Sequence, residues 1–341
     1  MHPRLPPVSR DEGSLARGNR TSDAPRKPRP RRMNRYLAID IGGSHIACAL
    51  VRGGGVERRA EIAVPVTPTL ETLLPELERI LADLRAGRAV AGVAVAFPGL
   101  IDPRSGQVVS TPAGKYEDAV GFDFAGWSKA HLDLPIMLEV DGRMALLGER
   151  TYGALIGRDD AVLLGLGTGI GSAALMGGTI VRGRTGHASV LAGHMTIDTD
   201  GPLCRCGNIG CAEAIASTWA LPRLIAALPG RGRLHALDEP DLKTMLDLAR
   251  AGDEGAHAIR AICLNAWATV ALNLVTAYDA SYVLVTGGAA AAAEVVPFIQ
   301  DHVRHHVWCL GAPPVVVRGA LGSDAALLAA TPLWEDRHDP L

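Results

Sequence analysis

Hydrophobic and polar positions along the chain follow two periods in turn. Residues 36–40 form a short apolar run closed by Asp40, and a second run over 46–51 follows Gly42 and Gly43, which predicts two strands joined by a glycine turn. Over 70–84 the residues Leu73, Leu74, Leu77, Ile80, Leu81 and Leu84 recur at helical spacing. Residues 90–96 read as a strand halted by Pro98 and Gly99, and 135–139 as another that enters Asp141 and a helix over 143–152. The pattern then restarts, with an apolar run at 161–166, a glycine-rich turn at 167–171 and a return strand at 172–176. Helical stretches follow at 212–228 and 256–278. A strand at 282–285 meets Gly287 and Gly288, and a helix at 290–303, a strand at 315–317 and a closing helix at 323–330 complete the chain. Two units, each a glycine-turn hairpin followed by alternating strands and helices, predict α/β layering and a two-lobed nucleotide clamp.

Composition bounds the partners. Hydrophobic residues make up 48% of the 341 positions, enough for two domains with a core each. A formal net charge of −2 gives no ground for nucleic acid or an anionic membrane as a partner. No apolar run approaches the ~20 residues needed to cross a bilayer, so the chain is expected in the cytoplasm and off the membrane. Residues 1–33 lack the apolar stretch of a secretory signal and are rich in Pro, Arg and Ser. They read as a disordered basic arm, or as a misassigned start.

The six cysteines are unevenly spread: Cys204, Cys206 and Cys211 crowd one loop, while Cys48, Cys263 and Cys309 stand singly. That pattern is poor for a disulfide framework and good for a metal. With His194 ten residues upstream, the three thiols supply a Cys₃His set for one tetrahedral, structural Zn²⁺. Asp40-Ile41-Gly42-Gly43-Ser44 is a candidate phosphate loop. Its glycines let the backbone approach phosphate oxygens, Ser44 adds a hydroxyl, and Asp40 is placed to hold Mg²⁺. Gly167-Thr168-Gly169-Ile170-Gly171 repeats the device, and Gly287-Gly288 offers a third approach on the nucleoside side. Neither loop follows the Walker pattern, and the strand after Gly171 argues against a Rossmann turn.

Those loops, the Gly193-His194 pair and the 204–211 cysteine loop occur in the order and spacing of the ROK family of bacterial sugar kinases and sugar-responsive repressors, which the chain resembles from about Tyr36 to Ala330. The resemblance implies a glucokinase-like ATP-dependent sugar kinase on the two-lobed actin-like ATPase (ribonuclease H-like) α/β fold, with duplicated lobes and mixed sheets. It implies a small lobe over 34–140 completed by a helix at 319–332, a large lobe over 141–318 carrying the zinc loop, and a homodimer. Glu139-Val140-Asp141 matches the family's Glu-Asn-Asp segment, so Asp141 is the expected catalytic base. The resemblance further implies sugar contacts from Gly99, Asp102, Glu139, His194 and Glu213.

Three positions depart from the family pattern. Val140 stands where Asn is usual, Leu191 stands where the Glu-x-Gly-His motif has Glu, and 111–115 lacks an Asn frequent in that loop. Each lost contact to a buried hydroxyl costs about 1 kcal/mol, so an atypical sugar is expected. A repressor reading is opposed by the absence of helical periodicity in the residues before Tyr36. A non-catalytic sugar- or nucleotide-binding protein is the alternative to a kinase.

Overall fold

In the computed structural model, which describes residues 34–229 and 232–335, the first two apolar runs pair antiparallel. They are β1 (Arg35–Ile41) and β2 (His45–Arg52), and the expected arm at 1–33 lies outside the described residues. A third strand, β3 (Gly55–Ala63), covers the edge of β2. Its sequence hides it, because Glu57, Arg59 and Glu61 face solvent and only Ile62 of the strand is buried. Helix α1 (Leu70–Arg85) buries the leucine stripe, and both carboxylate oxygens of Asp118 accept its first amides, from Leu70 and Glu71, at 2.8 Å. Next come β4 (Gly92–Phe97), the small hairpin of β5 (Leu100–Ile101) and β6 (Val108–Ser110), α2 (Phe124–His131), β7 (Ile136–Val140) and α3 (Asp141–Tyr152).

The second half repeats the plan with β8 (Ala161–Leu166), β9 (Ile170–Met176) and β10 (Thr179–Ile180). The expected helix over 212–228 is broken. α4 (Ala212–Ala216) stops at Ser217, which is extended, and α5 (Leu221–Ala226) begins after a 3₁₀ turn. The break frees the amide and hydroxyl of Thr218 to bond the Gly167 carbonyl at 3.1 and 3.0 Å. Then follow α6 (Leu242–Arg250), α7 (Glu254–Tyr278) and β11 (Tyr282–Thr286). The expected helix at 290–303 is instead a 3₁₀ turn over Gly288–Ala291 and then α8 (Val295–His306), since the alanine run carries no amphipathic period. β12 (Val315–Arg318), α9 (Ala325–Leu328) and α10 (Ala330–Glu335) close the described chain.

The two sheets are built alike. Each has five strands, in the orders β3-β2-β1-β4-β7 and β10-β9-β8-β11-β12, antiparallel across the hairpins and parallel across the crossovers. This is the duplication expected from the restarting pattern. One face of the first sheet, with Leu37, Ile39, Val95 and Leu138, packs on α1 and α2. The opposite face is lined by small residues (Ala38, Ala47, Ala49, Ala94, Ala96) and joins α3, α9 and Leu163, Ala173 and Leu175 of the second sheet in one core. α7 is long and apolar enough to span a bilayer, which corrects the expectation that no stretch is. Here its Ile259, Cys263, Trp267 and Leu274 are fully buried in the core beneath the second sheet.

Small residues on α3 permit this packing. A Cβ at Gly148 would collide with the Ala325 carbonyl oxygen of α9. Gly148→Ala should therefore lower stability by about 1–3 kcal/mol, read as a fall in the thermal midpoint; an unchanged midpoint would show that the helices part at no cost.

Candidate active site

Strand register assembles the carboxylates. Asp40 pairs with Ala96, and Ala96 with Glu139, so the three side chains stand in one row on the small-residue face. Asp141 follows at the first turn of α3, where the positive end of the helix favours its anion. A Cβ at Gly142 would lie 2.9 Å from the Ser172 carbonyl oxygen, so the start of α3 presses on β9 one residue beyond Gly171. Ser172 in turn donates its hydroxyl to Ser189 (2.6 Å) and accepts the Ala192 amide (3.0 Å), tying the segment before His194 to the same strand. Gly193 packs so closely on Ile170 that no side chain fits between them. Asp40, Asp141, the second glycine loop and His194 are thus brought together.

Two carboxylates in this crease repel. Asp141 keeps access to solvent, yet surrounding protein removes much of its hydration and raises its carboxyl to about 6, against the pull of the Gly142 amide at 2.6 Å. Asp40 is raised to about 7, first by burial and then by the charge of Asp141, with Arg59 acting in the opposite sense. A cation between them would relieve both effects, and a hard, oxygen-seeking divalent ion fits that donor set.

The glycine loops are held from outside. Tyr116 donates its hydroxyl to the Gly42 carbonyl (2.7 Å), and the Lys115 ammonium donates to the Gly43 carbonyl. Ser44 bonds the neighbouring His45 ring at 3.1 Å. In the second loop Glu213 accepts the Ile170 amide (2.9 Å) and the Trp219 indole N–H (3.1 Å), while the Thr168 carbonyl accepts the Trp219 amide at 3.4 Å. Built side chains at Gly167, Gly171 and Gly288 would meet no atom within 4 Å, so these backbones border open space. Gly287 lies at φ +88° against the Leu166 backbone, a position reserved for glycine.

Other expected sugar contacts are taken up by neighbours within the protein. Glu139 is buried, and its oxygens accept from Arg182 (2.6 Å), the Val140 amide (2.9 Å) and Arg143 (3.3 Å), leaving it a wall of the site rather than an open acceptor. Gly99 is wedged against the Ser110 carbonyl and the Phe97 ring. Asp102 turns within the β5–β6 hairpin, accepting the Arg104 amide at 2.8 Å. Val140 is buried in the core over α1, and Leu191 is 40% exposed three residues before His194. Tyr116, Ser172 and Trp219 act here without any motif to announce them; only spatial proximity reveals them.

The thiol cluster has metal geometry. One donor atom each from His194, Cys204, Cys206 and Cys211 lies within 4.8 Å of every other. Cys206 and Cys211 sulfurs are 3.7 Å apart, and His194 Nδ1 is 3.6 Å from the Cys204 sulfur. A tetrahedron with Zn–S bonds of about 2.3 Å has edges of about 3.8 Å, so the set fits zinc. Gly207 (φ +89°) and Gly210 (φ +69°) make the reversals that close the loop.

The model of the ROK family matches residues 36–337. The chain is 27% identical to a glucokinase of Thermotoga maritima, over 89% of this chain and 98% of the relative. It is 32% identical to an N-acetylmannosamine kinase of Escherichia coli O157:H7, over 86% of this chain and 97% of the relative. The solved structure of a ROK family glucokinase from Streptomyces griseus, in complex with glucose and AMPPNP, superposes with a TM-score of 0.72 at 28% identity, covering 88% of this chain and 99% of that one. The actin-like ATPase fold of the ROK sugar kinases is therefore the fold of this chain.

The raised Asp40 carboxyl makes stability depend on pH. The folded state holds that proton more tightly than the unfolded chain, so its contribution is complete below the ordinary carboxylate value of 3.8 and lost as pH rises through about 7. Asp40→Asn, neutral throughout, should stabilise the metal-free protein by about 1–3 kcal/mol at pH 8 and by nothing at pH 4. Denaturant titrations at the two pH values check this; equal effects at both would remove the shift.

Proposed function

The chain belongs to the ROK family, and from that premise we propose that it transfers the γ-phosphoryl group of ATP to a hydroxyl of a hexose or hexose-like sugar, with Asp141 as the base. The observation that carries this reading is the joint position of Asp141 and Asp40 beside the second glycine loop. A raised carboxyl near neutrality suits a general base, which must be ionised yet basic enough to accept the acceptor hydroxyl's proton. The glycine loops orient the triphosphate through their amides, and the Asp40–Asp141 pair receives its metal. Mg²⁺, when bound, supplies charge neutralisation on the phosphate oxygens, and Asp40 is the residue to hold it, through water.

His194 has two tasks in this proposal. If Nδ1 binds Zn²⁺ beside Cys204, Cys206 and Cys211, the neutral ring must carry its proton on Nε2, a donor fixed toward a sugar oxygen. Zinc, when bound, supplies folding energy to the 194–211 segment. Glu213 begins α4 directly after Cys211, and its two bonds connect that segment to the second glycine loop. Val140 and the exposed Leu191 support an acceptor other than glucose in its usual pose.

With ATP, Mg²⁺ and a panel of hexoses and amino-hexoses, at least one sugar should raise ADP release above the basal rate. Asp141→Asn should lower kcat by about 10²–10⁴-fold with nucleotide affinity retained. The acid limb of kcat/KM should fall below pH about 6. Nucleotide binding without sugar-stimulated turnover would favour the non-catalytic binding protein. Elemental analysis should give about one zinc per chain, and chelation should lower the thermal midpoint; a stable, metal-free protein would remove the zinc proposal.

A further inference from the structure

Beside the segment that carries Asp141, the surface turns cationic. A cavity of about 280 Å³ opens between the β5–β6 hairpin and residues 182–187, lined by Asp102, Arg104, Val109, Arg184, Thr185 and His187. Asp102 also lines a smaller adjoining recess with Glu139, Arg143 and Arg182. Across the two, four guanidinium groups face two carboxylates. Glu139 is already engaged by Arg143 and Arg182, and Asp102 holds the Arg104 backbone amide. The side chains of Arg104 and Arg184 have no ion pair among the described residues. Arg143, whose side chain is 1% exposed, also keeps a buried Nε without a hydrogen-bond partner.

Unpaired cations on a concave wall repel one another and attract anions. A planar guanidinium fork suits a carboxylate or phosphate better than a neutral hydroxyl. Glu139 and Arg143, which line the smaller recess, lie two residues before and after Asp141 along the chain, which puts the recess on the segment that carries the base. Thr185, whose hydroxyl bonds His187 at 2.8 Å, adds a polar wall. We propose that this crevice, on the kinase reading above, is a subsite for an anionic substituent, and that the acceptor is a sugar bearing a carboxylate or phosphate.

Calorimetric titration of the full chain with Mg²⁺–ADP tests this, using glucose, glucuronate, glucose 1-phosphate, glucose 6-phosphate and inorganic phosphate as probes. At least one anionic sugar should bind about tenfold or more tightly than glucose, from one or two charge-assisted bonds. The preference should shrink as salt is raised. Arg104→Gln with Arg184→Gln should remove most of it while ADP affinity stays the same, and Arg184→Lys should keep part of it. If the double variant does not fold, each single Gln variant should weaken the anionic sugar alone. The inference is overturned if no anionic sugar exceeds glucose, if the variants keep the preference, or if inorganic phosphate binds as tightly as the sugars, which marks a separate anion site. Glucose turnover without anion preference would sink this inference and leave the kinase reading standing. Failure to bind nucleotide would sink the kinase reading instead.

Discussion

Two like charges held close together in one crease are the constraint on which the rest of this molecule turns. Asp40 stands on β1 and Asp141 opens α3 directly after β7 of the same sheet; burial lifts both carboxyls toward neutrality, and the charge of Asp141 lifts Asp40 further. Such a pair destabilises the empty protein at neutral pH. On the proposed function it becomes favourable once a divalent ion and a polyanion enter together. The fold can tolerate the arrangement because it is anchored on both sides: by a parallel sheet row through Ala96 and by the pressure of Gly142 on Ser172.

Duplication supplies the second side of the grip. The two sheets share strand order and direction, and each offers a glycine turn at its central hairpin. Between them α3 and α9 pack tightly on alanine faces, which brings the turns near one another without bulky side chains intervening. Glu213 and the backbone of Thr218 and Trp219 then brace the second turn from the segment that follows the cysteine loop. The segment after the cysteine loop and the second glycine turn are mechanically one piece.

Much of this was legible in the sequence, where local pattern determines local structure. The β1–β2 hairpin, α1 and the β8–β9 hairpin follow from apolar period and glycine position, and the thiol cluster from spacing alone. What escaped reading depends on partners distant in the chain. The break at Ser217 exists because a carbonyl at Gly167 needs a donor, and no local residue signals that. Glu139 reads as an open ligand until Arg182, 43 residues later, closes on it. β3 is concealed by edge-strand charges, whose alternation resembles a solvated loop.

The central claim is that Asp40 and Asp141 form a coupled pair awaiting a metal–nucleotide complex. Carboxyl titration by ¹³C NMR, with and without Mg²⁺ and a non-hydrolysable ATP analogue, tests it most directly. The account predicts two carboxyls titrating at about 6 and about 7 in the free protein, both moving to lower pH when the complex binds. Two carboxyls titrating near the ordinary value and indifferent to nucleotide would contradict it.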